Sequence, residues 1–245
     1  MSHGIFATLF YIPLYNLLVF FINTFPGHNA GLAVVIVTLL TRLILFPLSR
    51  QAIKTQLLMR QIEPELQKIR ETIKDKQEQA VATMKLYKDK GINPFASMIL
   101  IFIQLPILIG MYQVFRSGLP HIDPTILYSF VHTPTTIVMA LFGIDLIKRS
   151  IILALLAVIT QFIQINLSLP KTTKTPASKE RSFQTDLAHS MNIQMRFILP
   201  LIMFPIAYIS AVVALYLVTT NTFTILQELF VRRKMMKKYT LPATK

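Results

Sequence analysis

Arg42 lies inside residues 31–48, a run otherwise long and apolar enough to cross a bilayer. An ionised guanidinium at that depth costs about 2.5–3.5 kcal/mol on insertion scales, so it ordinarily faces a polar cavity or a partner instead of lipid. The chemistry such a group offers is electrostatic: a cation in a low-dielectric setting attracts a negative or polar segment of something else. The bland alternative is snorkelling, since at 1.5 Å rise per residue Arg42 is about 9 Å from Leu48 and its side chain could reach the inner surface. Further polar residues recur in apolar surroundings. Thr38 shares the face of Arg42 at i, i+4, Gln104 and Gln113 fall in a second run, Thr160, Gln161 and Gln164 in a third, and Thr219, Thr220 and Asn221 in the last. Their ordinary role is helix-to-helix hydrogen bonding, worth about 0.6–2 kcal/mol each. That role does not account for Arg42, because no acidic residue within these runs is placed to neutralise it deeply. Water in a polar pocket is the simpler solution.

Other chemistries are missing. Seven glycines form no phosphate-binding loop, and there is no H-E-x-x-H and no G-x-S-x-G elbow. With no cysteine there is no disulfide framework, thiolate nucleophile or Cys-ligated metal, and His3, His28, His121, His132 and His189 include no pair at i, i+4. No enzyme activity, metal or cofactor is expected. Nor is a buried carboxylate relay visible, since outside the basic loops the acids are Asp123, Asp145 and Glu228.

The elements that must hold Arg42 follow from composition. The chain is 53% hydrophobic and 15% charged, with mean hydropathy +0.54, which marks an integral membrane protein. Spans are expected at 31–48, 95–116, 150–169, 192–209 and 211–231, the last two separated near Tyr208 because their joint length exceeds one crossing. The net charge of +14 then sorts by side. Basic clusters follow the first, third and fifth spans, whereas residues 1–41 carry no Lys or Arg. By the positive-inside rule these clusters are cytoplasmic, the N-terminal segment and Ser117–Arg149 are external, and the C-terminus is inside. Residues 135–144 are too short to cross and read as an external interfacial helix or loop. Residues 4–22 could span, but Pro13 and the partly polar face of Thr8, Tyr11, Tyr15 and Asn16 favour an external interfacial helix. This segment lacks the cationic start of a cleaved signal peptide.

Between the first two spans, residues 49–93 carry an apolar stripe of Ile53, Leu57, Ile62, Leu66, Ile69 and Ile73, then a second set of Ala80, Met84 and Tyr87. Two antiparallel helices joined near Lys74–Gln77 would form a cytoplasmic hairpin, with Pro64 interrupting the first. A charged pair of this kind is often only a solvated connector, yet it is long enough to meet a partner. Residues 170–190 read as a polar cytoplasmic loop, and 232–245 as a basic tail. The fold class expected is therefore an all-α membrane protein: a five-span helical bundle, in a single domain over 1–245, with an external N-terminal helix and a cytoplasmic hairpin.

Taken together, the run from Val37 through Arg42 and Pro47 to Leu48, Gln61–Gln67 around Pro64, Leu86–Pro94 around Gly91 and Asn93, and Gln104–Ile107 resemble the YidC/Oxa family of membrane protein insertases. Leu215, Tyr216 and Asn221 fit as well, in order along the chain. The resemblance is to a short bacterial type, without a large external domain, a lipidated cysteine or a long ribosome-binding tail. It implies a small bundle around a hydrophilic groove open to cytoplasm and lipid, with Arg42 as the groove arginine and Thr38, Gln104, Gln164, Asn221 and Tyr216 as groove positions. The implied activity is insertion of nascent membrane proteins into the plasma (inner) membrane. Implied partners are those nascent chains, a ribosome or targeting receptor at 49–93 and 232–245, a translocon and membrane lipid, with no specific DNA. Two alternatives stay open: a small multi-span transporter binding an anion at Arg42, against which stands the lack of repeats, and a non-inserting assembly chaperone.

Overall fold

In the computed structural model, the residues described are 4–25, 27–93, 96–119, 122–168, 196–198 and 200–238. They fall into two compact units, Met1–Ile44 with Gln104–Ile225, and Leu45–Ile103 with Leu226–Lys245. The expected loop 170–190 and residues 192–195 of the expected fourth span lie outside the described residues.

The first unit begins with a π-helical turn, Ala7–Tyr11, leading into α1, Ile12–Thr24, which packs on α2, Ala30–Ile44. Tyr15, Leu18, Val19 and Ile22 of α1 and Ala30, Ala33, Val34 and Val37 of α2 are all fully buried, each set at three- and four-residue steps. Two polar residues of α1, Tyr15 and Asn16, are buried and bonded within the fold. Asn16 donates to the carbonyls of Ile12 and Ile126, both at 2.9 Å, and accepts from the Tyr128 amide at 2.6 Å. The Tyr15 hydroxyl accepts from the Asp123 amide at 3.0 Å. The helix Ala7–Thr24 is also long and apolar enough to cross a membrane.

Residues 122–149 are irregular apart from a 3-10 turn, Pro124–Ile126, and a two-stranded hairpin, β1 (Ala140–Leu141) and β2 (Ile144–Asp145). Residues 135–144 thus form a loop and hairpin and not a helix. Phe142 and Gly143 make the turn with φ of 50° and 78°, the doubly left-handed arrangement of a tight hairpin. Glycine adopts it freely, whereas an aromatic residue held there costs about 1–3 kcal/mol. At the base, the Ala30 amide donates to the Val138 carbonyl, the Val212 amide to Leu146, and the Ala211 amide to Lys148. Asn29 caps α2 through Leu32 N–H at 3.0 Å and reaches Ala140 O at 2.7 Å. Leu141 presses so closely on α2 that a Cβ on Gly31 would lie 2.7 Å from the Leu141 Cβ. The Ile147 amide and Lys148 hold the Asp145 carboxyl below the usual carboxylate range.

Further on come α6 (Ala96–Gln113), which runs through Pro106 into a π-helical turn Val114–Gly118, α7 (Ile151–Ser168), α8, described at 196–198 and 200–208, and α9 (Ala211–Lys238). The basic residues from Arg232 to Lys238 therefore continue the last helix, where the sequence placed the span's end at 231. Among the described residues three helices are long and apolar enough to cross, Ala7–Thr24, Ile151–Ser168 and Ala211–Met235, with the broken pair Ala30–Ile44 and Phe46–Gln61 as a fourth candidate.

The second unit holds α3 (Phe46–Gln61), α4 (Glu63–Thr72) and α5 (Lys76–Asp89). Where the sequence placed one span over 31–48, the helix stops at Ile44, because the Pro47 ring has no N–H to give and displaces the carbonyl four residues earlier. Pro64 likewise starts α4, splitting the first arm of the hairpin in two. Asp75 caps α5 by accepting from the amides of Gln77 (2.7 Å) and Glu78 (3.0 Å). A small core of Ile62, Leu66 and Ile92 is covered by Leu58, Met59, Leu86 and Tyr87. Of the expected second stripe only Tyr87 joins it; Ala80 and Met84 are exposed, and Leu86 takes their part.

Candidate functional site

Arg42 is only 6% exposed, although it sits on a helix whose other buried residues are small or apolar apart from Thr38. Its Nη2 donates to Oε1 of Gln104 at 2.5 Å, and Nε2 of Gln104 donates to the Tyr216 hydroxyl, also at 2.5 Å. Three helices, α2, α6 and α9, are thereby joined through one relay from guanidinium to amide to phenol. The amide suits the middle position because it alone of the three offers both an acceptor and two donors. Among the described residues no carboxylate lies within ion-pair distance of Arg42. The partner of this charge among the described residues is a neutral amide.

The other expected site residues divide. Thr38, 1% exposed and one turn before Arg42, gives its hydroxyl to the Val34 carbonyl at 2.7 Å, so it returns to its own helix. Asn221 is 5% exposed and donates to Ala157 O and Thr160 Oγ1, each at 3.3 Å, which ties α9 to α7. Gln164 bonds Ser168 at 3.1 Å and accepts from Gln161 at 3.4 Å, along α7 itself. The structure thus brings together Arg42, Gln104 and Tyr216, keeps Thr38 beside them on α2, and uses Asn221 at the α7–α9 joint. Gln113 is exposed and takes no part.

Sequence pattern alone did not single out Tyr216, since an aromatic residue inside an apolar run reads as core; its hydroxyl, buried with a residue exposure of 2%, is what matters. Glu228 was placed only at the inner end of the last span. It is 1% exposed and pairs with Arg232 at 2.5 Å, while Gln227 beside it donates to the Phe46 carbonyl at 3.4 Å.

A helical membrane protein whose buried arginine is held by an amide, itself bonded to a phenol, falls in the class of membrane proteins in which an intramembrane ionisable residue ordinarily marks a functional site. The family described as 60Kd inner membrane protein matches residues 21–238. A chain named membrane protein insertase YidC, from Oceanobacillus iheyensis, is 30% identical over 243 residues, covering 97% of this chain and 87% of that relative. A protein of the same name from Clostridium tetani is 32% identical over 224 residues, 90% of each chain. The fold also matches the crystal structure titled "Active YidC insertase crystal structure with the first transmembrane domain resolved", with TM-score 0.56 and 21% identity over 91% of this chain and 46% of that one. The chain belongs to the 60Kd inner membrane protein family, that of the YidC insertases.

Proposed function

We propose that this chain is a membrane protein insertase in which Arg42 draws the short polar, often acidic, flank of a nascent span partway into the bilayer. The observation that carries this reading is the neutral ligation of a buried guanidinium. A guest carboxylate that replaces Gln104 as acceptor exchanges a bond to a neutral amide for a doubly charged one, the stronger kind at short range. Burial of the arriving span in lipid then pulls the flank across. Each polar group left in hydrocarbon costs several kcal/mol, so a shortened dry path lowers the barrier. No bond is made or broken, and neither metal nor nucleotide is needed.

In this reading the five spans surround a hydrophilic groove that also includes Thr38, Gln104, Tyr216, Gln164 and Asn221, with the N-terminal segment external and the C-terminus cytoplasmic in the plasma membrane. The hairpin within 49–93 and the tail 232–245 meet the nascent chain, ribosome or targeting receptor, and the basic tail meets anionic lipid or ribosomal RNA.

Reconstitution into proteoliposomes tests the function against an anion transporter. A short single-span substrate with an acidic tail is expected to become inserted and protease-protected, with no uptake of labelled anions; uptake without insertion reverses the assignment. The hairpin is tested in the same assay. Since Leu86 and Tyr87 cover Ile62 and Leu66, removal should take α4 and α5 together, residues 63–90, with a flexible linker in their place. Ribosome-coupled insertion is expected to fall severalfold while the purified protein loses only the helix content of the excised segment. Unchanged insertion would rule out docking there.

A further inference from the structure

The hairpin 140–145 carries an aromatic residue where nothing in its own fold asks for one. Phe142 is 93% exposed and occupies a left-handed position that Asn or Gly would fill without strain. Its neighbour Leu141 is 9% exposed and locked against Gly31, so the hairpin is firmly seated and only its tip is free. That seat is at the first residues of two apolar helices: Val138 receives the Ala30 amide of α2, and Leu146 and Lys148 receive the Val212 and Ala211 amides of α9. A rigid hairpin fastened to the point where two spans begin is held at the level where bilayer gives way to water.

We propose that the tip of this hairpin is a lipid anchor: Phe142, flanked by Ile147, is inserted among the headgroups and upper acyl chains of the leaflet at which α2 and α9 start. Phe, like Trp and Leu, is a usual apolar-face residue of segments lying in the membrane interface. Further exposed apolar side chains follow in sequence: Ile147 (50% exposed), then Ile151 (56%) and Ile152 (70%) at the start of α7. Charge does not oppose insertion. The nearest acid, Asp145, is paired with Lys148 at 3.2 Å. Lipid fits this tip better than an external protein does, since a protein partner would have to bind within the headgroup layer.

The chain contains no tryptophan, so a single one introduced at the tip reports on its surroundings without background. Phe142→Trp and, separately, Ile147→Trp would be reconstituted into phosphatidylcholine–phosphatidylglycerol vesicles carrying bromine either near the headgroup or near the methyl end of the acyl chains. Met84→Trp, on the exposed face of α5, is the aqueous control. Blue-shifted emission at both 142 and 147, lost more with shallow than with deep bromine, is the expected result, with the control unaffected. Emission at 142 matching the control and untouched by either bromolipid overturns the anchor. So does a blue shift that grows with protein density yet resists bromine quenching, the outcome for a second copy covering the tip. None of these readouts depends on insertion activity.

Discussion

Arg42→Ala is expected to slow insertion of an acid-tailed single span by roughly tenfold to a hundredfold, the loss of about 1.5–3 kcal/mol from one hydrogen bond to a charged group. Arg42→Lys should keep most of the activity, because an ammonium supplies the charge although not the fork geometry. The relay sharpens the expectation. Gln104→Glu would put a carboxylate at the acceptor position 2.5 Å from Nη2 of Arg42 and pair the cation permanently. That variant should lose the preference for acidic over amidated tails even where it still inserts neutral ones. Initial rates for matched Asp-tailed and Asn-tailed substrates in proteoliposomes separate the cases. Wild-type rates in Arg42→Ala would remove the arginine from the mechanism. A slow Arg42→Ala beside a Gln104→Glu that still prefers acidic tails would leave the arginine in place and discard the amide as its displaceable ligand.

How much of this was legible in the sequence depends on how far each partner lies along the chain. Arg42 announced itself because a charge inside an apolar run is locally anomalous. Gln104 was visible as polar within a span, but nothing local shows that it bridges Arg42 and Tyr216, which are 62 and 112 residues away from it. The same distance hid the roles of Tyr15 and Asn16, whose ties run to residues 123–128. Local chemistry was present but outweighed at Pro47: the apolar length of 31–48 argued for one helix, whereas the imino acid ended it at Ile44. In the hairpin the stripe slipped by a position or two. Which face of α5 turns inward is set by where Asp75 starts the helix and by how α4 and α5 meet, so Leu86 and not Met84 covers Ile62 and Leu66.

Glu228 shows the converse case, a residue whose type was plain and whose burial was not. Its carboxylate is 1% exposed and the Arg232 side chain 18%, at 2.5 Å one turn apart on α9. Glu228→Ala removes this ion pair from a largely buried guanidinium, and the expected cost is about 3 kcal/mol, the low end for breaking a buried pair. The low end applies because Arg232 keeps some access to water and a flexible stem with which to reach it. A loss of that size is a large part of the roughly 5–15 kcal/mol that holds a typical fold. Glu228→Gln preserves the shape and one acceptor, so it should cost clearly less. The damage should be local as well. With Gln227 bonded to the Phe46 carbonyl next door, the C-terminal half of α9 is where protection from proteolysis and amide exchange should fall first. Thermal unfolding in detergent, with peptide-level exchange across α9, reads both effects. Equal midpoints for wild type and Glu228→Ala would mean that this turn of the helix is held by its apolar neighbours alone.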